Sequence, residues 1–161
     1  MPVQYTLFAT SMPTLSDNKF ARRDYEVLDE VEAGLELLGM EVKPIRAGQM
    51  KLKGSFVKIV GGALVLINGF IPKYDKAAGG TEAATYDPYR TRRLLVHKKE
   101  LKKLSDALDT RGYTLVPLSV YTRGRLIKLK VAIARGRKTH EKKDILKQRD
   151  IDRDVRRELK R

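Results

Sequence analysis

Two runs of alternating apolar residues around Arg123-Gly124 constrain this chain more than any other feature. Val116, Leu118 and Val120 alternate before the turn. Ile127, Leu129, Val131 and Ile133 alternate after it, with Lys128 and Lys130 on the opposite side. A period of two is the signature of a strand with one buried face, and a glycine between two such runs reverses the chain. The stretch therefore predicts an amphipathic antiparallel hairpin with one basic face.

A second hairpin is predicted by Ser55 to Val60 and Ala63 to Ile67, which flank Gly61-Gly62. After Asn68-Gly69, Phe70 to Tyr74 reads as a short extended piece. Tyr25 to Val31 is rich in strand-forming residues. Ala33-Gly34 predicts a bend or bulge, with Leu35 to Leu38 continuing beyond it. Arg90 to Val96 starts as an extended segment or a helical entry. Residues 75–87 are small, polar and glycine-bearing, as in a surface loop.

Three helical segments complete the barrel region. Asp17 or Asn18 can cap a turn over Lys19 to Arg23. Glu41 to Ala47 carries Val42, Ile45 and Arg46 at helical spacing, with Gly48 at the C-cap. Leu101, Leu104 and Leu108 mark one face of a helix from about His97 to Leu108, ended by Arg111-Gly112. About six short strands with few helices predict a mainly β fold with flanking helices, an OB-like antiparallel barrel. Periodicity alone does not separate it from an SH3-like barrel.

From Ala134 onward the character changes. Residues 134–161 hold 12 Lys or Arg against 6 Asp or Glu. Ile151, Val155 and Leu159 stand four apart, but this stripe is too thin to fold alone. The expectation is an N-terminal arm over 1–16, a barrel over 17–133, and a basic tail over 134–161. The tail is expected to be disordered in solution and helical against a partner.

The whole chain carries 34 Lys or Arg and 20 Asp or Glu, a net charge of +14. Such an excess points to a polyanion, nucleic acid before an anionic membrane surface. No apolar run approaches the roughly 18 residues of a membrane span. The start of the chain lacks the pattern of a secretory signal. Cysteine is absent, so disulfides and thiolate metal sites are excluded, which fits a reducing compartment. His97 and His140 lack metal-ligand spacing. No Ser-His-Asp set and no phosphate-cradling GxxxxGK is present, so no enzyme is expected.

The basic residues fall into four clusters: Lys19/Arg22/Arg23, Lys43/Arg46, Arg90/Arg92/Arg93, and the tail. Guanidinium forks match phosphate geometry, while a single charge run is equally compatible with a solvated surface. Asp87-Pro88-Tyr89 turns the chain just before Arg90. Tyr25 can stack on an exposed base or pack half-buried. Glu32 can accept from a base edge or hold an arginine. Lys128 belongs to the basic face of the hairpin.

EAGLELLGMEVK followed by IRAG resembles the SsrA-binding protein family, usually called SmpB. YDPYRTRRLLVHKKEL is similar to that family's DPxRTRKLLLHKREL signature. Asn18, Lys19, Tyr25 and Glu32 match its NK…AR…Y…EAG pattern. Ala134 to Lys143 resembles A-K-G-K-K-x-x-D-K-R, with Glu141 replacing the usual Asp and Lys143 the usual Arg. The resemblance runs from about Asn18 to the C-terminus.

It implies a cytoplasmic RNA-binding protein with an OB-like barrel and no cofactor or metal. The implied partners are the tRNA-like domain of transfer-messenger RNA, the small ribosomal subunit with its vacant mRNA channel, and elongation factor Tu with GTP. The implied role is trans-translation, the rescue of ribosomes stalled without a stop codon. The expected RNA-facing residues are Asn18, Lys19, Arg22, Tyr25, Glu32, Lys43, Arg46, Arg90, Arg92 and Lys128. The expected ribosome-facing tail residues are Gly136, Arg137, Lys138, His140, Lys142 and Lys143. The alternative is a general RNA-binding or ribosomal protein with an OB-like barrel.

Overall fold

The structure, a computed structural model, describes residues 13–74 and 84–160. Most of the expected N-terminal arm and residues 75–83 of the expected 75–87 loop lie outside the described residues. The elements, in chain order, are β1 (Thr14–Asp17), α1 (Lys19–Asp24), β2 (Tyr25–Leu35), α2 (Gly39–Arg46), β3 (Phe56–Val60), β4 (Ala63–Ile67), β5 (Arg92–Leu95), α3 (Lys98–Leu108), β6 (Tyr113–Arg123), β7 (Leu126–Gly136) and α4 (Thr139–Leu159).

All strand pairs are antiparallel. The order β6-β3-β4-β5-β2-β7 closes on itself through β6 and β7, and β1 adds to β6 beyond β3. Closure removes the free edges an open sheet would expose. The fold is mainly β with flanking helices, in OB-like form.

The β6–β7 hairpin is tight because Gly124 takes a φ of 62° in a two-residue turn that pairs Arg123 with Leu126. Ile127, Leu129, Val131 and Ile133 all face the main core, as their alternation requires. β6 departs from expectation. Its register shifts between Pro117 and Ser119, leaving Leu118 without a residue opposite. Leu115 and Val120 consequently join the main core, while Val116 and Leu118 face outward beneath Ala21 of α1. One inserted residue turns the rest of the strand over. Pro117, which has no N–H to give the ladder, stands at that point.

Asn18 pins this bulge. Its backbone N–H donates to Leu118 O at 2.8 Å and its Nδ2 to Pro117 O at 2.9 Å. Its Oδ1 accepts from Ala21 N at 3.3 Å, capping α1. The residue that starts the helix thus also satisfies two carbonyls at the bulge, one with its side chain and one with its backbone N–H.

β2 runs through Ala33-Gly34 without the expected bend. Its irregularity lies between Val27 and Asp29 instead. Gly34 is required for close approach: it pairs with both Leu95 and Lys128, and a Cβ there would meet Leu95 Cβ at 3.3 Å. Leu37 and Leu38 fall outside the strand. Leu38 is the N-cap of α2, which begins at Gly39, earlier than predicted, because Glu41 accepts the Leu38 N–H at 3.0 Å. Phe70 contributes one bridge, to Lys51, rather than a strand. Arg92–Leu95 settles as strand.

The core gathers Ile45, Leu64, Leu66, Ile71, Leu94, Leu104, Leu115, Leu129 and Val131 inside the barrel and under α2 and α3. β7 continues to Gly136, so Ala134, Arg135 and Gly136 pair with Val27, Glu26 and Tyr25. The change of composition at 134 precedes the end of the barrel. Beyond it, α4 has no buried residue.

Candidate nucleic-acid interface

α2, β2, the β5–α3 junction and the tip of the β6–β7 hairpin enclose a groove of about 850 Å³. Arg46, Arg123, Arg125 and Lys128 bring positive charge to it, and Glu32 and Glu100 bring negative charge. Leu35, Leu37, Val42, Leu95 and Leu126 supply apolar lining. Leu95 and Leu126 are both more than half exposed. Apolar surface framed by cations can receive both a base face and a phosphate.

Glu32 is held from two sides. The Tyr121 hydroxyl donates to Oε2, and Arg123 Nη1 donates to Oε1 at 3.1 Å. The Tyr121 bond chiefly holds the Glu32 carboxyl below its ordinary range; burial opposes this and Arg123 adds to it. Burial, then Glu32, pushes the Tyr121 phenol well up, so it remains a donor. The carboxylate is therefore ionised and oriented, with lone pairs left for N–H donors of a base edge. Across the groove, Arg46 Nη2 donates to Arg125 O at 2.9 Å, tying α2 to the hairpin tip.

Of the residues expected to face RNA, Glu32, Arg46 and Lys128 come together here. Lys19 and Arg22 lie exposed on α1, on a different face, with Tyr25 half-buried beside the α1 cluster. Lys43 is exposed, its Nζ 3.4 Å from the Tyr74 hydroxyl and 5.1 Å from that ring's centroid. Asn18 is buried at the bulge.

Arg90 and Arg92 turn inward. Both meet Glu41, which has no exposed side-chain surface. Arg90 donates from Nε to Oε1 at 2.8 Å and from Nη2 to Oε2 at 2.7 Å. Arg92, also fully buried, donates from Nε and Nη2 to Oε1 at 3.0 and 2.8 Å. Tyr86 adds its hydroxyl to Oε1 at 3.1 Å. Burial alone would raise the Glu41 pKa; the Arg90 and Arg92 hydrogen bonds outweigh it, and the net shift is downward.

Among the tail residues, Gly136 ends β7 opposite Tyr25, and the Arg137 N–H donates to Asp24 O at 2.9 Å. The Lys138 N–H donates to Glu141 Oε2 at 3.1 Å, starting α4. Lys138, His140 and Lys143 are exposed and Lys142 is half-buried.

Several surface groups escape the sequence reading. Arg123, Arg125 and Leu126 join the groove only through the hairpin turn, although Arg123 and Arg125 flank Gly124 visibly in the sequence, and buried Tyr121 acts on the groove through its bond to Glu32. Phe20 is 41% exposed, with Arg23 and Lys53 each 4.9 Å from its ring centroid. Its place between Lys19 and Arg22 was the available signal. Among the described residues, no group of three or more His, Cys, Asp or Glu side chains could hold a metal ion. None of their helices is long and apolar enough to cross a membrane.

Comparison with known proteins adds to this geometry. The family described as SmpB protein matches residues 15–161. The SsrA-binding protein of Microcystis aeruginosa is 44% identical over 147 residues, covering 91% of this chain and 94% of that one. The SsrA-binding protein of Synechocystis sp. shows the same identity and coverage, and that of Chloroflexus aggregans is 37% identical, covering 91% of each chain. A solved structure described as "tmRNA-SmpB: a journey to the center of the bacterial ribosome" contains a chain 42% identical, with a TM-score of 0.62. That match covers 76% of this chain and 84% of the other. With a family match over residues 15–161, relatives aligned over nine-tenths of its length and a solved structure of similar fold, the chain belongs to the SmpB family.

Proposed function

We propose that this chain binds the tRNA-like domain of transfer-messenger RNA and delivers it to stalled ribosomes for trans-translation. The observation that carries the reading is the groove in which an oriented Glu32 carboxylate faces Arg46, Arg123, Arg125 and Lys128 over apolar lining. A closed barrel holds these groups in fixed relation, which suits recognition of folded RNA by shape. The cations neutralise phosphates, and Glu32 accepts from a base edge that presents N–H groups. Lys19, Arg22 and Tyr25 on the α1 face offer a second contact area. SsrA-binding relatives across most of the chain support this assignment.

The tail is the ribosome-facing part. No residue of α4 (Thr139–Leu159) is buried, so its helix is assigned to form where a partner supplies the missing environment. The vacant mRNA channel of the small subunit, lined with phosphate, is that environment for Arg137, Lys138, His140, Lys142 and Lys143. Elongation factor Tu with GTP accompanies delivery, and the protein works in the cytoplasm.

The test is binding to transfer-messenger RNA at physiological salt against excess bulk tRNA. Tight binding that survives the competitor is expected. Binding lost to the competitor, and falling steeply with salt, would describe only a basic protein on a polyanion. A chain ending at Gly136 keeps β7 whole. It is expected to retain RNA affinity within a few-fold and to lose tagging in a reconstituted stalled system; retained tagging would refute the role given to the tail.

A further inference from the structure

We propose that Glu41 is a positioning residue for the RNA groove, and that Arg90 and Arg92 act through it rather than on phosphate. This rests on the groove being the RNA site. The geometry carries it in three steps.

First, the arginines are occupied. Arg92 gives Nη1 to Gly69 O at 2.7 Å and to Arg90 O at 3.0 Å. It gives Nη2 to Tyr86 Oη and Pro88 O, both at 3.1 Å, besides Glu41. A guanidinium has five N–H groups, and this one, fully buried, has none to turn toward a ligand. Arg90 spends its bidentate fork on Glu41, with Nη1 3.4 Å from Thr91 O.

Second, the carboxylate links two walls of the groove. Glu41 sits on α2, whose next residue, Val42, and whose last, Arg46, line the groove. Arg92 opens β5, which delivers Leu95 and then Val96 and His97 to the opposite wall. Tyr86 and the Leu38 N–H converge on the same two oxygens. Glu41 thus ties the helix that carries Arg46 to the strand that carries Leu95.

Third, such a network is not needed for stability alone. Well-packed apolar residues of similar volume often stabilise as much as a buried ion pair or more. What directional bonds supply is a fixed relation between the elements they join.

Three variants of the full chain test this, probed with the tRNA-like domain of transfer-messenger RNA and with bulk tRNA across a salt series. Each is assayed where circular dichroism shows it folded. Glu41→Gln removes an anion, so any simple electrostatic effect strengthens RNA binding. Positioning instead predicts about tenfold weaker binding to the tRNA-like domain and a smaller preference over bulk tRNA. Arg90→Met is expected to weaken binding with the salt slope unchanged, whereas removal of a phosphate contact lowers the slope by about 0.7–0.9. Glu41→Gln binding as well as the parent, or a lowered slope for Arg90→Met, overturns the proposal. Should Glu41→Gln fail to fold, Tyr86→Phe takes its place, with a loss of about threefold expected and parental affinity counting against the idea. Failure of the parent to prefer its RNA over bulk tRNA would instead strike the functional reading, independently of the ratio between variant and parent.

Discussion

The Glu41 network and α4 use the same pairing, carboxylate with arginine, to opposite ends. In the network, the Glu41 and Arg92 side chains are fully buried and every bond to Glu41 is 2.7–3.1 Å long. In α4, Asp150 meets Arg153 at 3.9 Å and Asp154 meets Arg157 at 3.8 Å, with all four side chains about two-thirds to three-quarters exposed. Water and salt screen the second set far more than the first. The lesson is that a tally of acids and bases says nothing about what a charge does; burial and the count of donors around it decide.

Four outcomes test that contrast. The largest belongs to Glu41→Ala, which strands two arginines near the core. It is expected to cost about 3–5 kcal/mol in denaturant unfolding, a large part of a domain's typical 5–15 kcal/mol. A cost under about 1 kcal/mol would show that the network is not coupled to folding. Asn18→Ala removes the α1 cap and leaves Pro117 O without its donor, for an expected loss of about 1–2 kcal/mol. Hydrogen exchange should quicken at Ala21 and around the bulge before the rest of the barrel.

A smaller effect is expected with acid. Burial raises the Glu41 pKa and the arginine bonds more than reverse it, so the folded value lies below the ordinary 4.5. A group depressed on folding stabilises above its unfolded pKa and loses that contribution as pH falls through the folded value. Unfolding free energy should therefore hold steady down to about pH 4.5 and decline below it, with a flatter decline in Glu41→Gln. An equal slope in parent and variant would assign the acid sensitivity to other carboxylates, such as Glu32. The smallest effect is that of Asp150→Asn with Asp154→Asn, which should leave the barrel's thermal midpoint within error. A clear shift would mean that α4 supports the barrel.

How far the residues announced this arrangement depends on the distance over which each signal acts. β7 was legible because its alternation is unbroken and its turn glycine sits next to it. β6 was legible as a strand but not in its facing, because the bulge at Leu118 is held by Asn18, about a hundred positions away. The groove was half visible: Glu32, Arg46 and Lys128 stood out as placed charges. Leu126, at the turn between the two alternating runs, carried no local sign of lining it, nor did Tyr121 of holding Glu32. Glu41 was the hardest. Glu41, Glu100 and Glu141 occupy the same place in their helices and each accepts the N-cap N–H. Only Glu41 is also covered by tertiary structure, which no local pattern reveals. The RTRRLL run held a usable hint, since a strand sends Arg92 and Arg93 to opposite faces, and the structure buries the first and exposes the second.

The root of α4 has a geometric consequence. Arg137 is fastened to the end of α1, and Glu141 sets the first turn two residues after the helix begins. Twenty-one helical residues from a fastened origin make a rod about 30 Å long. Such a rod is a yardstick with a bearing as well as a length. Four residues inserted past its first turn would move the tip outward by about 6 Å and rotate it by only about 40°. Two residues would advance it half as far and swing every later side chain through about 200°. Whatever meets that helix reads an angle along with a distance, and the barrel fixes the zero of both.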